Sequence, residues 1–150
     1  MATIFDMYER AKAANSNAKG VTVGIIEDHS DVLTDLNKDQ LKRGTDSIGE
    51  KIHPMYGSII YSIEKNNKNP LAGFGTPDLN LTGAFYRGFY LLLNGMSFKI
   101  DSNDSKTGSL KDKYGDIFGL SDSSLSTYTK NYFFEEFKSF IEKTLKLKMQ

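Results

Sequence analysis

The chain has 150 residues and carries 19 basic and 19 acidic side chains, so its formal net charge is zero. Balanced charge argues against a broad nucleic-acid footprint, which needs clustered Lys and Arg, and it favours self-association. There is no cysteine, which removes disulfides, thiolate nucleophiles and Cys-ligated metals together.

A chain of this length fits one domain over residues 1–150, and ten Phe and eight Tyr supply large buried areas to its core. The opening MATIFDMYERAK contains Asp6 and Glu9 and has no unbroken apolar stretch, so it does not read as a signal peptide. Residues 3–14 place Ile4, Phe5, Tyr8 and Ala11 on one helical stripe. The polar run NSNAKG at 15–20 reads as a break. A second amphipathic helix is predicted over 21–36, where Ile25, Ile26, His29, Val32, Leu33 and Leu36 recur at helical spacing. Residues 37–53 read as a loop or irregular hairpin turning through Thr45 to Gly49. From Met55 to Lys65 the apolar residues Met55, Ile59, Ile60 and Ile63 keep helical register, although Gly57 and the β-branched residues also suit a strand. Residues 66–78, NNKNPLAGFGTPD, form the clearest loop.

DLNLTGAFYRGFY at 78–90 then reads as a bend at Thr82-Gly83 that opens a strand, with Phe85 and Phe89 reaching the core. A hairpin follows over 89–101. Asn94-Gly95 predicts a type I′ turn, and Met96, Phe98 and Ile100 form its buried face. A polar loop at 101–108 leads to a short helix over 109–114 that Gly115 ends. The last helix, about 122–147, carries an aromatic stripe with Tyr128, Tyr132, Phe133, Phe137 and Phe140, and Lys143, Lys146 and Lys148 gather at its C-terminal end. The fold class is α+β: a small antiparallel sheet including the 89–101 hairpin, packed with N-terminal helices and a long C-terminal helix.

No chemical motif is complete. His29 lies on a helical apolar stripe and reads as a packed or surface histidine, and His53 lies in a different element. No G-x-S-x-G elbow supports a triad. Asp101, Asn103, Ser105, Thr107, Ser109 and Asp112 match a calcium-loop count, but Lys106 stands where Gly is needed and Asp112 where Glu is usual. The D-x-N-x-D at 35–39 has Gln40 at the glycine position. GFGTP at 73–77 gives only G-x-G, and no G-K-[ST] occurs. Single-stranded nucleic-acid binding through Tyr86-Arg87 or Lys130 to Tyr132 is a lesser reading. The residues therefore suggest no enzyme and no cofactor.

Asp78, Leu79, Thr82, Gly83 and Phe85, then the Asn94-Gly95 hairpin, then Lys113 to Leu120, form an ordered set that resembles small virion proteins of tailed bacteriophages of Bacteroidetes hosts. The family pattern has one more residue between the positions of Tyr114 and Ile117. The similarity spans roughly residues 36–147 and includes QLKRGTDSIGEKI upstream. The resemblance implies a neck, ring, tail-terminator or tail-completion subunit, assembled in the host cytoplasm into a cyclic homo-oligomer. Portal, connector or tail proteins would be its partners, with no membrane and no sequence-specific nucleic acid. Arg87, Arg43 and Phe74 are then interface candidates, and loops 37–53 and 66–78 would carry intersubunit contacts. The competing expectation is a cytoplasmic ligand- or nucleic-acid-binding module using Arg87, His53 and the 101–112 loop.

Overall fold

The structure, a computed structural model, describes residues 3–145. The fold is α+β, with N-terminal helices, a two-stranded antiparallel hairpin and a long C-terminal helix. Helix α1 spans Ile4–Asp28 and opens with a capping box between Thr3 and Asp6. The hydrogen bonds from Thr3 also hold the Asp6 carboxyl below its usual range.

The break expected at 15–20 does not occur, and α1 runs straight through it. Asn, Ser and Lys each cost a helix well under about 1 kcal/mol relative to Ala, so a polar run alone does not stop one. Ala14, Val21 and Ile25 carry a single packing face across the segment, with Ala14 and Ile25 buried. The true boundary is His29, where α1 hands over to α2, Ser30–Lys42. The predicted 21–36 helix is thus two helices joined at its own histidine.

Helix α2 also extends into the expected 37–53 loop. Its inner face carries Leu33, Asn37, Gln40 and Leu41, all buried. The Asn37 side chain donates to the Ile117 carbonyl at 3.0 Å and accepts from the Gly119 amide at 3.0 Å. Gln40 donates to the Asp46 and Gly119 carbonyls and accepts from the Ser121 amide. Side-chain amides here do what backbone pairing does elsewhere: they satisfy a buried loop at 117–121. The expected turn is present, closed by an antiparallel bridge between Thr45 and Lys51.

Helix α3 is Ile59–Lys68, starting later than predicted because Ser58 caps it by accepting from the Tyr61 amide. The 66–78 segment is loop apart from the end of α3 and a single 3₁₀ turn at Pro70–Ala72. The 78–90 stretch does not run directly into a strand. Gly83 has φ of 80° and caps the four-residue helix α4, Ala84–Arg87, before β1 begins at Phe89. Phe85 is buried and Phe89 packs edge-on against it, as expected. Gly88 closes the end of α4. A Cβ there would fall 2.5 Å from Ser102 Oγ and 2.7 Å from Asn103 Oδ1, so the glycine admits the neighbouring chain.

Strand β1, Phe89–Asn94, pairs with β2, Ser97–Ser102. Because Asn94 faces Ser97, the turn residues are Gly95 and Met96 rather than Asn94 and Gly95. Only Gly95 has positive φ, which is the type II′ pattern and not the expected I′. Phe98 and Ile100 turn inward, whereas Met96 sits in the turn and is exposed. Helix α5, Thr107–Tyr114, ends at Gly115 as predicted. The C-terminal helix comprises α6, Asp122–Tyr128, a π turn over Thr129–Phe133, and α7, Phe134–Leu145. Lys146 and Lys148 lie outside the described residues.

Two apolar clusters result. One gathers Leu41, Ile52, Leu79, Phe85, Tyr86 and Ile117. The other gathers Ile26, Leu33 and Tyr128 against the inner face of the hairpin. Helices α1 and α7 pack antiparallel, mainly on each other, with Arg10 donating to the Leu145 carbonyl. They form a two-helix arm on a compact body.

Candidate functional site

Helix α3 is amphipathic in the inverted sense. Ser62 and Lys65 are buried, whereas Ile59 is 72% exposed, Ile60 80% and Ile63 49%. The sequence places these isoleucines in helical register. The helix forms, four residues later than expected, and its apolar face is turned to solvent.

The cause is a buried polar knot. Lys65 Nζ meets Asp78 Oδ1 at 2.6 Å and donates to the Asn80 carbonyl at 2.6 Å. The Asp78 carboxylate also accepts from Asn69 Nδ2 at 2.9 Å and from the Asn80 amide at 3.1 Å. Tyr86 donates its hydroxyl to the Asp78 carbonyl. A buried charge left alone is prohibitively costly, so the Lys65–Asp78 pair fixes the rotation of α3, and Ile59, Ile60 and Ile63 follow. Burial, and then the Asp78 charge, push the Tyr86 and Tyr56 hydroxyls far above their usual range, so both stay protonated and able to donate. Next to the knot Leu79 sits at φ 56°, a left-handed conformation that bulky residues avoid at a cost of roughly 1–3 kcal/mol.

The 69–83 segment packs beside α3 and carries further exposed apolar side chains: Leu71, Phe74 and Leu81. The Met55 methyl group lies over Gly75. All three interface candidates border this segment. Phe74 belongs to it and is 54% exposed. Arg43 is exposed and precedes Gly44, which abuts Ala72 and Thr76. Arg87 is exposed and donates to the Thr82 carbonyl at 3.3 Å. Among the described residues no carboxylate of the same chain forms an ion pair with Arg43 or Arg87.

The chemical alternatives fare differently. Asp101 accepts from the Ser102 amide and Asp104 from the Lys106 amide, while Asp112 lies on α5, so the 101–112 oxygens serve their own turn. At 35–39 the residues are helical: Asp35 pairs with Lys38, Asp39 with Lys42, and Asn37 is inward. Among the described residues no three His, Asp or Glu side chains are grouped to hold a metal ion. Among the described residues no helix is long and apolar enough to cross a membrane. His53 is exposed and separate from His29.

His29 has a defined setting that its sequence did not reveal. Its Nε2 meets Glu136 Oε1 at 2.8 Å, and its Nδ1 lies 3.2 Å from the Tyr128 hydroxyl. A carboxylate, an imidazole and a hydroxyl in line have the outline of a proton relay. However, the Tyr128 hydroxyl is buried, which pushes its pKa up to about 12, and His29 lines none of the principal cavities. The trio fastens the root of the arm.

No known protein family, curated protein or solved structure matches the chain.

Proposed function

We propose that the chain is a structural subunit of a tailed-phage virion, at the head–tail junction or in the tail, that works as a homo-oligomeric ring. The observation that carries this reading is the outward apolar face of α3. Ile59, Ile60 and Ile63 stand in water because the buried Lys65–Asp78 pair holds them there. A contiguous apolar face of that kind marks a surface that another protein covers. Arg43, Phe74 and Arg87 border the same region, which suits an interface with a polar rim. The virion assignment rests on the sequence resemblance running from Asp78 to Leu120. Under this reading the partners are further copies and portal, connector or tail proteins. The site does no catalysis and needs no cofactor.

Light scattering on the purified full-length chain, with antibody detection in purified particles, tests it. A closed oligomer together with presence in particles is the expected result. A chain that stays monomeric at micromolar concentration, or that is absent from particles, overturns the reading.

A further inference from the structure

A cavity of about 150 Å³ opens on the flank of α3. Leu79, Ala84, Phe85 and Leu110 give it an apolar wall, and Tyr61 and Tyr114 add two more rings. An apolar cavity of roughly 150 Å³ takes one benzene-sized ring, whereas sites for drug-sized ligands run to roughly 300–1,000 Å³. The size therefore admits a single six-membered ring and excludes nucleotides and larger cofactors. Half of these six side chains are aromatic, so an aromatic ring gains edge and face contacts beyond the area it buries.

The polar part of the lining is more specific. Lys65 belongs to it, with a side chain only 10% exposed. An ammonium group has three N–H donors. One meets Asp78 Oδ1 at 2.6 Å and another the Asn80 carbonyl at 2.6 Å. Among the described residues the third meets no acceptor. A buried donor at a cavity wall is complemented by an acceptor atom on the molecule that fills the cavity. The other charged residues of the lining are Asp104 and Lys106, one of each sign, and Lys65 is already matched by Asp78. The charges cancel, so the lining favours a neutral ligand over an anion or a cation. The wall is also strained, because Leu79 is the one non-glycine residue with positive φ among the described residues. Strain of this kind collects at ligand clamps.

We propose that this cavity binds a neutral single-ring aromatic compound of the phenol class, with the ring among Leu79, Phe85 and Leu110 and its oxygen on Lys65 Nζ. The site lies within one copy of the chain, so it stands or falls separately from the oligomer.

Calorimetric titration of the full-length chain with phenol tests it. Phenol should bind once per chain at millimolar concentration or below and raise the melting temperature as it saturates. Toluene has the same ring without the oxygen, and it should bind about tenfold more weakly because the Lys65 donor stays unfilled. Leu110→Trp and Ala84→Leu fill the cavity from α5 and α4, and each should weaken phenol binding by about tenfold or more. Should neither variant fold, nuclear Overhauser contacts from phenol to the Leu79 and Leu110 methyl groups locate it in the parent chain. The assignment is overturned by any of four results: no saturable phenol binding, contacts to other residues only, toluene binding as tightly as phenol, or folded filled variants that bind like the parent.

Discussion

Lys65 and Asp78 meet at 2.6 Å in the interior, thirteen residues apart, and their pairing decides which side of α3 faces water. The Lys65 side chain is 10% exposed and that of Asp78 is 4%. Breaking such a pair from one side leaves the other charge buried and unmatched, at a cost of about 3–5 kcal/mol. Asp78→Ala and Lys65→Ala should each lower stability by that order in urea unfolding. The double variant should cost clearly less than the sum, and simple additivity would show that the pair is not coupled.

Ile60→Asp and Ile63→Asp behave in the opposite manner. Both side chains are exposed, so folding stability should change by no more than about 0.5 kcal/mol. Association measured by light scattering should fall sharply. A large drop in melting temperature would show instead that these residues support the fold of the monomer.

Gly88→Ala should destabilise through close approach rather than through backbone conformation. The added methyl meets Ser102 Oγ, Asn103 Oδ1 and, at 3.0 Å, the Asp104 amide nitrogen. Ser102 Oγ donates to the Phe85 carbonyl, so moving it also breaks a buried hydrogen bond. A loss of about 1–3 kcal/mol is expected, measured by thermal or urea unfolding.

Tyr128 gives the protein an alkaline limit. Its folded pKa is pushed from 10.0 up to about 12, first by burial and then by the Glu136 charge. In this window the unfolded chain loses the tyrosine proton while the folded chain keeps it. Tyr128 therefore contributes full stability below pH 10, and the contribution falls away as the pH rises toward 12. Tyr128→Phe should flatten this part of the profile. Tyr56 and Tyr86 are raised as well, so some slope remains.

His29→Leu should cost about 1–3 kcal/mol, because the buried Tyr128 hydroxyl then loses its partner. Adding Tyr128→Phe should recover part of that loss. No recovery in thermal unfolding would mean that His29 acts by packing alone.

How much of this could be read from the chain depends on the residue. Phe98 and Ile100 alternate with polar neighbours, and alternation has one meaning, so the hairpin was legible. Its turn was misplaced by one residue because Asn94 and Gly95 suit one turn type in isolation, whereas the pairing of Asn94 with Ser97 selects another. Ala14 and Val21 kept α1 continuous, but small side chains barely register in an apolar stripe. Asn37 and Gln40 read as loop residues because their value lies in the Ile117, Gly119 and Ser121 backbone they satisfy, some eighty residues away. The inversion of α3 was illegible for the same kind of reason: nothing local to Lys65 announces Asp78. Phe74, Arg43 and Arg87 read as interface candidates in the sequence, and the structure leaves all three exposed.

The joint at His29 has a mechanical consequence. The two places where the chain passes between arm and body, His29 and the π turn, lie side by side, with the His29 and Tyr132 rings 5.8 Å apart. An arm attached at one end is a lever. Helix α1 has 25 residues, so at about 1.5 Å per residue the tip lies about 37 Å from that joint. A rotation of about 5° there carries Phe5 through about 3 Å, most of the width of an aromatic ring, by the same helix length. Small repacking around one histidine is therefore enough to swing the exposed Phe5 ring by most of its own width.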